Sequence, residues 1–207
     1  MKTTRRAMLW TSGLAAGAVA AAVPRTLSAS EPALYPPATS AADRVRQLLP
    51  NPQLTTHENK RVRFYDDLVR GRTVLINLMY TNCTKSCPAT AANLRKVQKY
   101  LRESIGDRVL MLSLSVDPAR DAPQALADYA EMIGAAPGWL FATGRKSDID
   151  AIRKALGMFD RDNETDGTSH LNLVTIGNEP MGQWCAIPAL STPEDIARTV
   201  QRVMRTA

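Results

Sequence analysis

Thr73-Val-Leu-Ile-Asn-Leu-Met79-Tyr-Thr-Asn-Cys83-Thr-Lys-Ser-Cys87-Pro88 decides the architecture of this 207-residue chain. Residues 73–80 are mostly β-branched or large and apolar, with one amide, Asn77, inside the run; a strand buried on both faces of a sheet reads this way. Pro88 fixes its own φ and lacks an N–H donor, which suits the first turn of a helix. Leu94, Val97, Leu101 and Ile105 then recur at helical spacing, so a helix is expected over 89–104. The strand thus leads directly to two cysteines, Cys83 and Cys87, the second at a helix N-terminus. Unsatisfied N–H groups and the positive end of the helix dipole predict that a thiol there ionises more readily than usual, with Lys85 adding to the effect. Such a pair can hold a soft metal, close a disulfide, or alternate between the two. As a purely structural staple it offers little, because closing so small a ring contributes only about 2 kcal/mol.

Outward from this stretch, residues 109–116 read as a second apolar strand. Strand, helix and strand of these lengths form a βαβ unit with parallel strands and a right-handed crossover. Upstream, 54–57 and 61–64 read as a small hairpin around Glu58-Asn59-Lys60, preceded by a short helix at 41–49. Downstream, helices are expected at 124–133 and at 147–156, the latter capped by Ser147, with a short strand at 139–142 between them. A late hairpin, 171–176 with 181–185, turns at Asn178-Glu179-Pro180, and a helix over 193–204, capped by Thr192, closes the chain. The fold class is α/β: a central mixed sheet flanked by helices, with an N-terminal β-hairpin. A cysteine pair at the end of a central strand, opening a helix, is the thioredoxin-like arrangement. Its Cys-x-x-x-Cys spacing is one residue longer than the Cys-x-x-Cys of thioredoxin-type enzymes.

Residues 1–30 read as an export signal of the twin-arginine type. Arg5 and Arg6 precede an Ala/Gly-rich apolar stretch that reaches about Val23, and small residues follow at Ser28-Ala29-Ser30. The stretch is weaker than the ~20 strongly apolar residues of a spanning helix, so cleavage is expected, retention as an N-terminal anchor being the alternative. Residues 31–50, Pro-rich at their start, read as a linker, leaving 51–207 as one domain large enough for a core. The formal charge of +6 is largely the signal's: residues 1–30 carry Lys2, Arg5, Arg6 and Arg25 and no acid, leaving 22 basic against 20 acidic residues. That balance gives no support for a nucleic-acid partner. Export implies a periplasmic, oxidising setting that permits disulfides, and three cysteines leave one over. Cys185, in a late strand, is read as the odd one, a small buried hydrophobe.

Two thiolates leave a metal under-coordinated. Of the two histidines, His57 lies in the N-terminal hairpin and reads as a surface or edge residue. His170 follows the polar loop 160–169 and immediately precedes a late strand, the segment that approaches the cysteine loop in a thioredoxin-like sheet. Tyr80-Thr-Asn-Cys83-Thr-Lys-Ser-Cys87-Pro88, Ser115-Val-Asp117-Pro118-Ala-Arg-Asp121-Ala-Pro123 and His170 together resemble the Sco/SenC family of copper proteins that serve cytochrome c oxidase assembly. The resemblance runs from about Leu54 to the C-terminus. It implies that Cys83, Cys87 and His170 bind copper, Cu(I) or Cu(II), and that the chain is a periplasmic metallochaperone. Its implied partner is the binuclear copper centre of cytochrome c oxidase subunit II, with other periplasmic copper chaperones and thiol reductants alongside. A reversible Cys83–Cys87 disulfide would switch binding off. The chemistry agrees, since thiolates favour Cu(I) and imidazole suits both oxidation states.

Two features depart from the common pattern. Many relatives have an acid immediately before the histidine, whereas Ser169 stands here and the nearest acid is Asp166. Thioredoxin-like oxidoreductases usually place a cis-proline before the corresponding strand, and Thr168-Ser169-His170 contains none. Asp117 and Asp121 read either as supports of the site or contacts to a partner, or as a turn and helix-start signal. Met79 and Met111 fall in strands expected to be buried and read as core. The competing function is a thiol–disulfide oxidoreductase in which Cys83 attacks and Cys87 resolves. A peroxidase would need a donor beside Cys83, and neither Arg120 nor Arg145 can be placed there from sequence.

Overall fold

The computed structural model describes residues 40–84, 86–106, 108–159 and 172–205. At its centre, β3 (Thr73–Met79) is buried at every position, as its unbroken apolar run requires. It pairs in parallel with β4 (Val109–Ser115) through the crossover helix α2 (Cys87–Tyr100), giving the βαβ unit expected from the sequence. A third parallel strand, β5 (Trp139–Thr143), follows α3 (Pro123–Ile133) and lies beside β4. On the other side of β3 runs the antiparallel hairpin of β6 (Leu173–Asn178) and β7 (Gln183–Pro188). The N-terminal hairpin, β1 (Gln53–Thr56) with β2 (Arg61–Arg63), attaches antiparallel to β5. The seven-stranded mixed sheet therefore has the order β2-β1-β5-β4-β3-β6-β7.

Both faces of the sheet are covered. On one, α2, α3 and α5 (Pro193–Arg205) bury Leu94, Leu126, Ile196 and Val200 against Leu75, Met111 and Phe141. On the other, α1 (Ala41–Leu48) and α4 (Lys146–Ala155) bury Val45, Ile149 and Ile152 against Val74, Ile76 and Leu112. Met79 and Met111 are both core residues. The closing helix is held at its start as expected: the Thr192 hydroxyl accepts from Asp195 N–H at 3.2 Å.

The short helix expected at 41–49 is α1, and it belongs to the domain although it lies inside the stretch assigned as linker: Ser40 caps it by accepting from Asp43 N–H at 3.0 Å, and Val45 and Leu49 enter the core. Three local features differ from the sequence reading. Phe64–Val69 is a π-helical turn that buries Phe64, Tyr65, Leu68 and Val69, so the apolar run after β2 leaves the hairpin at once. The helix α4 starts at Lys146 after Arg145, leaving Ser147 inside the first turn rather than at the cap. Finally, α2 begins two residues earlier than expected, with Cys87 itself as its first residue and Pro88 next. Among the described residues no helix is long and apolar enough to cross a membrane.

Candidate metal centre

The carboxyl ends of parallel β3 and β4 lie side by side, Met79 opposite Ser115, and the chain leaving β3 reaches Cys83 four residues later. Loops at the carboxyl ends of parallel strands are the usual location of sites in such sheets. Cys83 N–H donates to the Tyr80 carbonyl at 3.3 Å, closing a tight turn, and Ser86 O accepts from Thr90 N–H at 2.9 Å to start α2. This geometry brings the two cysteines together at the base of the helix. Cys83 is 8 % and Cys87 4 % exposed, and their side chains hydrogen-bond to one another.

Burial reverses the expectation for Cys87. The helix N-terminus favours a thiolate, but desolvation pushes the Cys87 thiol up to about 12, and the hydrogen bond and charge of Cys83 push in the same direction. A backbone hydrogen bond involving Tyr80 opposes this and is too weak to prevail, while the Asp121 carboxylate adds a further upward push. Cys87 is therefore held as a thiol at neutral pH, and a metal must displace its proton to enter.

Asp121 and Asp117 have different roles. Asp121 is 1 % exposed and ties the two loops of the site together. It accepts from Ser115 Oγ at 2.5 Å, from Thr81 Oγ1 at 2.6 Å, and from Thr81 N–H at 3.3 Å to each oxygen. Asp117 lies further out, pairing with the exposed Arg120 guanidinium at 3.3 Å while its N–H donates to Ser115 Oγ. Arg145 is committed to Asp148 at 2.7 Å.

Tyr129 completes the wall. It projects from α3, stacks edge-on with Phe141, and its phenol is pushed up to about 12 by burial and then by the nearby Cys87, Cys83 and Asp121. Sequence reading missed it because Leu126, Tyr129 and Ile133 form an ordinary apolar stripe, in which a tyrosine is simply another core residue. Beneath Cys87 a buried polar chain runs through the core: Trp139 Nε1 donates to Ser113 Oγ at 2.9 Å, and Ser113 Oγ donates to Asn77 Oδ1 at 2.7 Å. That chain accounts for the amide inside β3.

His170 lies outside the described residues, as does Lys85. Among the described residues no group of three or more His, Cys, Asp or Glu side chains could hold a metal. Two adjacent buried sulfurs nevertheless form a donor pair suited to a soft cation. His57 is elsewhere: its Nδ1 accepts from Phe141 N–H at 3.2 Å and its ring packs edge-on against Phe141, so it seals the β1–β5 seam. Cys185 is half-buried on β7 opposite Ile176, and burial raises its thiol.

A model of the family described as SCO1/SenC matches residues 43–205. The protein sco1 of Schizosaccharomyces pombe is 28 % identical over 123 residues, covering 56 % of this chain and 45 % of that one. The chain spans between about a third and two-thirds of the length of the curated relatives it matches. Among solved structures, a SCO1/SenC family lipoprotein from Bacillus anthracis is 26 % identical with a TM-score of 0.64, covering 75 % of this chain and 94 % of that one. ScoI of Bradyrhizobium japonicum, solved with copper bound, shares the fold at a TM-score of 0.60 and 24 % identity, over 74 % of this chain and 99 % of that one.

Proposed function

The chain belongs to the SCO1/SenC family, and on that premise we propose that it is a periplasmic copper metallochaperone, binding copper through Cys83, Cys87 and His170. Its copper goes to the binuclear centre of cytochrome c oxidase subunit II. The observation that carries this reading is the pair of buried, adjacent sulfurs at the end of β3. Thiolates stabilise Cu(I), and a neutral imidazole completes a three-donor set usable across a one-electron change. Copper is cargo here, so it must leave as well as enter. Ligand exchange with the cysteines of an acceptor provides an exit, and proton return to a thiol as weakly acidic as Cys87 favours release.

Thiol–disulfide exchange as the main role fits less well. That chemistry needs an accessible attacking thiol, and here Cys83 is buried, while the resolving Cys87 is a weak acid pushed up to about 12. Export through the signal read in residues 1–30 provides the compartment in which a Cys83–Cys87 disulfide disables the site between deliveries.

The test mixes Cu(I)-loaded protein with the soluble domain of an oxidase subunit II whose cysteines are already reduced. The expected result is stoichiometric transfer of copper, abolished by His170→Ala while disulfide exchange with a model dithiol persists. Transfer unaffected by His170→Ala, or an acceptor that gains reduced thiols but no copper, overturns the proposal.

A further inference from the structure

Thr90, in the first turn of α2 and three residues past Cys87, donates its hydroxyl to Asn172 Oδ1 at 3.0 Å. Asn172 directly precedes β6. Its carbonyl accepts from Ala189 N–H at 3.0 Å, and the Ala189 carbonyl in turn accepts from Asn93 Nδ2 at 2.9 Å. Asn93 Nδ2 also reaches the Ser191 carbonyl at 2.7 Å. Two side chains one turn apart on α2 thus hold the chain just before β6 and just after β7.

Packing alone does not require this. Val174, Ile176, Leu94 and Val97 already hold the sheet and α2 together by apolar contact, which is non-directional and tolerates sliding. Directional hydrogen bonds fix the position of residue 172 relative to the first turn of α2. The sheet brings it there: Val174 lies opposite Asn77, so antiparallel β6 begins beside the carboxyl end of β3, where the cysteine loop starts. Cys87, Thr90 and Asn172 line a common cavity of about 10 Å³, room for one water at most.

We propose that Thr90 and Asn172, backed by Asn93, are positioning residues for the third copper donor, an inference that rests on the reading of His170 as a ligand. His170 precedes Asn172 by two peptide units, a reach of at most about 7 Å. Cys87 precedes Thr90 by about one helical turn, roughly 5 Å. The hydrogen bond therefore joins the cysteine half of the site to the histidine half at their nearest described points. Asn172 is the described residue nearest to His170 along the chain, so loss of its anchor acts on the histidine side of the site, while Cys83 and Cys87 stay on their own loop and helix.

The test compares the full-length reduced protein with Thr90→Val, which keeps the shape and removes the donor, and Thr90→Ser, which keeps the donor. Cu(I) affinity is read by competition with a chromophoric chelator, and the Cu(II) form by its EPR hyperfine splitting. Thr90→Val is expected to weaken Cu(I) binding about tenfold, the low end for loss of an outer support of a metal ligand. It also shifts the hyperfine splitting; Thr90→Ser restores both, and the reduction potential of the cysteine pair stays unchanged. In a His170→Ala background Thr90→Val has no further effect. Should Thr90→Val fail to fold, Asn172→Ala is read in the same way. Wild-type affinity and spectrum in the folded variant, or an undiminished loss in the His170→Ala background, overturn the positioning role alone. Unchanged copper binding in His170→Ala by itself overturns the ligand reading and the positioning role with it.

Discussion

Replacing Asp121 by alanine removes the acceptor that joins the two loops of the site. Its carboxylate receives the Thr81 backbone N–H and the hydroxyls of Thr81 and Ser115. A buried donor left without a partner costs about 1–3 kcal/mol. The N–H cannot turn elsewhere and carries the full cost, whereas the hydroxyls rotate toward other acceptors and fall at the low end. The sum is about 3–5 kcal/mol, a large share of the roughly 5–15 kcal/mol that holds a domain folded. Asp121→Asn keeps the shape and one acceptor oxygen, and should cost about half as much. Both changes also remove a negative charge that helps hold the Cys87 thiol up, so Cys87 should be alkylated faster at a fixed pH above neutrality. Urea denaturation of the reduced apo protein measures the first effect and iodoacetamide kinetics the second. A loss below 1 kcal/mol in Asp121→Ala, with alkylation unchanged, would refute this account and return Asp121 to the role of a turn signal.

Three further outcomes are expected. Because the Cys87 thiol, near 9 when unfolded, is pushed up to about 12 in the fold, the unfolded state loses its proton first between those values; the contribution of this group to stability is constant below pH 9 and is lost as pH rises toward 12. Denaturation midpoints measured from pH 8 to 11 should show this slope, reduced in Cys87→Ser. Gly177→Ala places a methyl 2.4 Å from the Trp184 ring, so it should destabilise by about 1–3 kcal/mol in a thermal melt, with the far-UV spectrum retained. Cys185→Ala should leave the copper stoichiometry at its wild-type value by metal analysis, because Cys185 sits on β7 as half-buried packing rather than in the cysteine loop.

What could be read in advance was what local pattern encodes. The apolar run of β3, Pro88 in the first turn of α2 and the turn between β1 and β2 each act within a few residues, and all three elements form, α2 starting two residues early at Cys87. The thiol chemistry of Cys87 was misjudged because a sequence displays a helix N-terminus but not the depth at which it is buried, and here desolvation outweighs the dipole. The π-helical turn at Phe64–Val69 carried no signal of its own, since its four buried side chains fit a continued strand equally well. Tyr129 was hidden in the apolar stripe of α3. The Thr90–Asn172 hydrogen bond joins residues 82 positions apart through two ordinary polar side chains, so only the pairing of β6 with β3 makes it visible. Asp121 was noticed for its motif, but its function as an acceptor for Thr81 depends on the parallel register of β3 and β4.

The three-donor copper site is tested most directly by anaerobic titration of the reduced protein with Cu(I), repeated for single alanine substitutions at Cys83, Cys87 and His170. One tightly bound copper per wild-type chain, lost or strongly weakened in each of the three variants, is the predicted result. Wild-type affinity retained in any of them contradicts the three-donor site.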